Sequence, residues 1–153
     1  MSLSVAVQFA SRAPGLPSRA QVRRWALATH AVHAGDADGV VTLRYVDAAE
    51  GRALNRDFRG RDYATNVLTF VLATVAEHGR YVADIVICAP VVAREARAQK
   101  KALHEHHAHM VVHGMLHAQG LDHEDAAEAA AMEAVERAVL ARFRIKDPYA
   151  TPH

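Results

Sequence analysis

Three histidines, His113, His117 and His123, stand in the run HGMLHAQGLDH at a spacing suited to holding one metal ion. On a helix, residues four apart lie one above the other on the same face, so His113 and His117 can offer imidazole nitrogens to one ion about 2.0 to 2.1 Å away. Gly120 follows His117 where a glycine readily takes the left-handed conformation that ends a helix and reverses the chain, which returns His123 to the pair. Three neutral imidazoles with a fourth position left for water describe a catalytic zinc site, because structural sites usually close the tetrahedron with a fourth protein ligand. The expected chemistry is hydrolysis by a metal-activated water.

The spacing H-x3-H-x2-G-x2-H equals that of the metzincin peptidases, H-E-x-x-H-x-x-G-x-x-H, with one substitution: Gly114 stands where their glutamate stands. That glutamate is the general base of the zinc peptidase mechanism. Without it a peptidase or other small-substrate hydrolase is weakened as a reading, though it stays open, and a hydrolase of another substrate becomes the better expectation. Seven of the 11 histidines fall between His104 and His123. His109 is a rival ligand or a partner standing behind the ligands; a straight helix separates it from His117 by about 12 Å, so one ion cannot easily take His109, His113 and His117 together. His104, His106 and His107 are expected to face solvent or pack loosely, and His30, His33, His78 and His153 carry no functional signal.

The elements that must position these residues are read from periodicity. Residues 3–9, 39–46, 66–73 and 81–88 are rich in β-branched and aromatic residues with partial alternation and predict strands. Glu77-His78-Gly79-Arg80 has turn composition, so the last two strands are expected to pair as a hairpin. Pro17-Ser18 ahead of the Val22, Trp25, Ala26, Thr29 spacing predicts a capped helix to about His33 ended by Gly35. Further helices are expected over 48–58, 91–99, 102–118 and 125–143, with Met115, Leu116 and Met132 in the core. Strands in the first two-thirds and helices in the last third predict an α+β fold: a single domain over 1–153, a small mixed β-sheet packed with helices, and a zincin-like metal site on a C-terminal helix.

Composition narrows the class further. At 153 residues, 51% hydrophobic and 23% charged, the chain can bury one core and is far from the signature of disorder. The single cysteine, Cys88, lies in the apolar run IVICAPVV, which suggests a buried thiol in a reducing compartment. The opening MSLSVAVQFASR lacks the basic segment a secretory signal needs, and no stretch approaches the roughly 18 to 20 apolar residues that cross a bilayer. A soluble, cytoplasmic protein without a membrane partner is expected. The net charge of +1 hides an asymmetry. No acidic residue precedes Asp36, while Arg12, Arg19, Arg23 and Arg24 do, and Arg52, Arg56, Arg59 and Arg61 follow with only Asp57 among them. These could form a basic face for phosphates, or be ordinary solvated surface.

The run HGMLHAQGLDHE resembles the H-G-x-L-H-x-x-G-x-D-H signature of the YbeY endoribonucleases. LNRDFRGRDYATNVLTF, Leu54 to Phe70, is similar to that family's L-N-x-x-[FY]-R-x-x-x-x-T-[DN]-V-L-[ST]-F block, and ADIVIC to its G-D-I-x-I strand, so roughly residues 40 to 143 are covered. The resemblance implies zinc on His113, His117 and His123, and Arg59 as the family's functional arginine beside the metal. A guanidinium is well shaped to hold the oxygens of a phosphodiester on which charge develops during scission. It also implies a single-strand-specific endoribonuclease acting in maturation of ribosomal RNA, at the 3′ end of 16S, and in ribosome quality control, with the ribosome or its assembly factors as partners. The attacking group, metal-bound water or a ribose hydroxyl, stays open. The alternative is an RNA-binding ribosome assembly factor whose metal is mainly structural. Asn66 and Ala83 depart mildly from the common pattern, and Asp84 and Asp122 are expected in supporting or capping roles.

Overall fold

The computed structural model describes residues 2–34 and 36–150, and among them the alternating stretches form one sheet and the periodic ones six helices. In chain order these are β1 (Leu3–Ala10), α1 (Arg19–His33), β2 (Asp38–Val46), α2 (Ala48–Arg59), β3 (Val67–Ala73), α3 (Val75–His78), β4 (Arg80–Cys88), α4 (Ala89–Ala98), α5 (Leu103–Ala118) and α6 (Ala126–Ala141). The sheet runs β1-β2-β4-β3, with β1, β2 and β4 parallel and β3 antiparallel to β4. It is the small mixed sheet of an α+β fold. The expected hairpin is present, its connection carrying the single turn α3, which Gly79 ends at φ 73°.

Each predicted boundary falls within a residue or two of the observed one, because the local signals are strong. Ser18 caps α1 reciprocally: its hydroxyl accepts from the Gln21 amide at 3.2 Å, and the Gln21 side chain accepts from the Ser18 amide at 2.9 Å. The expected stop at Gly35 lies outside the described residues, as does His153. β1 is an edge strand whose outward carbonyls are occupied: Arg23 donates to Val5 O at 2.7 Å and Arg19 to Val7 O at 3.2 Å. Two guanidinium groups therefore block further strand addition. No helix among the described residues is long and apolar enough to cross a membrane.

Alternation along the strands makes two faces. Val5, Val7, Val41, Leu43, Tyr45, Tyr81, Ala83, Ile85 and Ile87 form the main core with α1, α5 and α6. Val46, Leu68, Val86 and Cys88 form a smaller cluster on the opposite face with Val91 of α4 and Leu54 of α2. Cys88 is buried there as a reduced thiol, and burial pushes its pKa up. Asp84 lies exposed on that face without a hydrogen-bond partner among the described residues, so the capping role expected for it is not seen.

Helix α5 is the centre of the molecule. From His106 to Ala118 every residue is buried except His113 and His117. This corrects the expectation for two histidines: His104 is exposed, but His106 and His107 are only 3% and 1% exposed. A helix covered on nearly all sides leaves them no route to solvent. His106 Nε2 instead bonds Glu95 at 2.9 Å, and the His107 ring packs 5.7 Å from that of Tyr45. Met115, Leu116 and Met132 are core, as expected. Gly114 is where α5 meets the sheet most closely: a Cβ there would lie 2.8 Å from Ile85 Cγ2 and 3.4 Å from Val67 Cγ2. Any side chain, a glutamate above all, would force α5 off β4 and β3.

Two outcomes test this packing. Gly114→Ala should cost about 1–3 kcal/mol, the usual penalty of overpacking a filled core, read from urea denaturation of the metal-free protein. His107 bears on pH: burial, with the nearby His106 charge, lowers its pKa to about 4. The unfolded chain then binds a proton near pH 6.5 that the folded one refuses until about pH 4, so His107 makes the fold lose stability as pH falls through that window. Between pH 7 and 4.5 wild type should lose about 2–3 kcal/mol more than His107→Leu; parallel pH profiles for the two proteins would refute the assignment.

Candidate metal centre

The last turns of α5 place His113 and His117 side by side, with ring centroids 4.6 Å apart and Nε2 atoms 3.1 Å apart. Helix α5 ends at Gln119, and Gly120 takes φ 98°, a conformation that favours glycine. The chain reverses there, and His123 comes to 5.0 Å from the His117 ring and 5.6 Å from that of His113. One nitrogen from each of the three rings lies within 4.8 Å of the others. The predicted triad is therefore assembled, with His113 and His117 half-buried and His123 exposed.

Hydrogen bonding favours the ligand form of these rings. The same reversal carries the Leu121 carbonyl to 2.9 Å from His117 Nδ1, which must donate to it and so leaves Nε2 with a free lone pair. Burial first, then the charges of His113 and His123, lowers the His117 pKa and keeps the ring neutral. His113 Nδ1 lies 3.4 Å from Glu136 Oε2. A tetrahedral ion with bonds of 2.0–2.1 Å holds its nitrogens about 3.3 Å apart, close to the separation of the His113 and His117 pair. Two imidazole Nε2 atoms at this separation, with a third donor beside them, could hold one metal ion. Asp122 accepts from the His123 amide at 2.8 Å and lies 3.6 Å from its ring, so it stands beside that candidate ligand.

His109 is not a ligand of this triad. It bonds Glu136, and so does Tyr149, whose hydroxyl is 2.9 Å from Oε1 and 3.1 Å from Oε2. Glu136 is 0% exposed. Burial alone raises its pKa, but the hydrogen bonds and charges of His109 and His113 outweigh that and lower it to about 2. His109, His113 and Glu136 thus make a second cluster of possible ligands, and it shares His113 with the first. The sequence reading missed Glu136, although a signal existed: on α6 it falls in the buried stripe with Met132, Val139 and Leu140, where an acidic residue is out of place.

A cleft of about 700 Å³ opens over the triad, and its lining also includes Arg59, Asn66, Thr69 and Thr74. Arg59 ends α2, and Gly60 turns the chain behind it at φ 68°. Its side chain is exposed and has no ion pair or hydrogen bond among the described residues. Its neighbours are engaged: Arg52 holds Asp62 through two bonds of 2.7 and 2.9 Å, Arg56 contacts Asp57, and Arg61 reaches the Tyr63 hydroxyl. Of the arginines that might have formed one basic face, Arg59 alone lines the metal cleft, while Arg19 and Arg23 are tied to the distant edge of β1.

Comparison with known proteins identifies the family. The family model described as endoribonuclease YbeY matches residues 17–144. Proteins named endoribonuclease YbeY from Thiobacillus denitrificans and Bordetella pertussis are 55% and 56% identical, over 147 and 152 residues respectively, each alignment covering 96% of both chains. The solution structure of TM1509 from Thermotoga maritima matches with a TM-score of 0.59 at 23% identity, over 95% of this chain and 99% of that one, and so shares the fold. With its helix-borne histidines and its glycine turn inside the matched region, the chain belongs to the YbeY endoribonuclease family.

Proposed function

We propose that this chain is a zinc-dependent, single-strand-specific endoribonuclease, active in the cytoplasm on ribosomal RNA, with the 3′ end of 16S as its target and the ribosome or its assembly factors as partners in maturation and quality control. The observation that carries the proposal is the pairing, across one open cleft, of three imidazoles with an unpaired arginine. His113, His117 and His123 would hold the ion. When bound, such an ion acts as a Lewis acid that lowers the pKa of water and polarises a phosphate oxygen.

The remaining work falls to the protein. Arg59 supplies donors in a planar fork that fits two oxygens of a phosphodiester, and having no carboxylate partner it need not give one up to bind substrate. The cleft is open, as a flexible single strand requires, and the hydroxyl-bearing side chains of Thr69 and Thr74 line it. Gly114 weighs against peptide hydrolysis on packing grounds too: the position of the peptidase base faces Ile85 rather than the cleft.

His117→Ala and Arg59→Ala should each lower the rate of cleavage of a fluorescent single-stranded RNA by about a hundredfold or more, with an unchanged circular dichroism spectrum. Undiminished cleavage by either folded variant would sink the mechanism. Chelation distinguishes catalysis from the assembly-factor reading. Metal-free protein should remain folded and inactive, and zinc should restore cleavage; unfolding on chelation, with no RNA cleaved by pure protein, would favour a structural metal.

A further inference from the structure

The buried carboxylate behind the histidines has no part in the mechanism above, yet its surroundings give it a specific task. Glu136 reaches from α6 to within 3.4 Å of His113 Nδ1, the nitrogen on the side of the ring away from His117. That nitrogen is buried and, among the described residues, without a hydrogen-bond partner, and the carboxylate is the polar group poised beside it. A proton on Nδ1 faces a carboxylate, whereas a proton on Nε2 would leave an imidazole lone pair against carboxylate oxygen. The carboxylate therefore selects the tautomer whose Nε2 is free for an ion, as the Leu121 carbonyl does for His117.

Glu136 is itself held from behind. His109 and the Tyr149 hydroxyl both bond it, and Tyr149 belongs to the segment after α6. That segment is fastened at three points. Lys101 donates to Pro148 O at 2.8 Å, Arg137 pairs with Asp147 at 3.0 Å, and the Arg137 guanidinium lies 5.4 Å over the Tyr149 ring. The chain near its C-terminus thus closes over the buried carboxylate that stands beside His113.

We propose that Glu136 is the positioning residue of the metal centre, orienting His113 and fixing its tautomer, and that Tyr149 on the C-terminal segment holds Glu136 in place, so that metal affinity depends on residues beyond the histidine run. The inference rests on His113 being a ligand, as the proposed function has it. It assigns Glu136 to the ring and not to an ion, although His109, His113 and Glu136 could also form a ligand set of their own.

The test is a titration of the metal-free full chain with Co²⁺, followed by its visible absorption bands and by competition with a chelator of known affinity, alongside circular dichroism of each metal-free protein. Wild type should bind one equivalent. Glu136→Gln, which keeps the shape and removes the charge, should bind Co²⁺ about ten- to a hundredfold more weakly while folded. Tyr149→Phe, a change at a partly exposed ring, should weaken binding several-fold with the fold intact, and it decides the matter if Glu136→Gln does not fold. Wild-type affinity in either folded variant would overturn the positioning role. Two equivalents in wild type, falling to one in Glu136→Gln, would also overturn it, making the carboxylate a ligand. Failure of wild type to bind Co²⁺ would instead remove the metal reading itself, so the two failures are distinct.

Discussion

The close approach of α5 to the sheet at Gly114 is the contact on which the metal centre depends. With no side chain at that position, the helix sits directly on Ile85 and Val67, and α1, α4 and α6 close around it. Only His113 and His117 escape burial over its length from His106 to Ala118, so the two candidate ligands emerge as a narrow polar stripe on an otherwise enclosed element. A helix this constrained cannot rotate to reorganise its ligands. Their positions are set by core packing, which is stiffer than any surface hydrogen bond.

That rigidity is coupled to an electrostatic arrangement of opposite sign on its two sides. Behind the ligands stands a buried carboxylate, ionised and saturated by donors, and in front of them an open cleft faced by an unpaired guanidinium. A buried charge is tolerated only where hydrogen bonds replace its hydration, which is what His109 and Tyr149 provide for Glu136. Arg59 needs no such support. It ends α2, where a cation interacts favourably with the helix C-terminus, and it lies exposed to solvent.

Much of this was legible in the chain itself. The strands and helices followed from alternation and from the four-residue period, and the mixed sheet from the order of elements. The triad followed from a helical pair, a glycine and a third histidine, all within eleven residues of sequence. What the reading missed shares one feature. His106 and His107 look like surface histidines in a polar run, but their burial depends on how many elements pack on α5. The arginines form a cluster along the chain, yet only Arg59 borders the cleft, because α2 ends there while Arg19 and Arg23 project from α1 to the edge of β1.

By itself the sequence determined the secondary structure, the three candidate ligands and the exclusion of the peptidase base at Gly114, because each depends on residues within a few positions of one another. Tertiary structure alone decided which charges meet. Glu136 lies 27 residues beyond His109 and Tyr149 lies 40 beyond it, and no local spacing records that these side chains converge. Their convergence is a property of three-dimensional packing: α6 packs against α5, and the C-terminal segment folds back to bring Tyr149 onto Glu136.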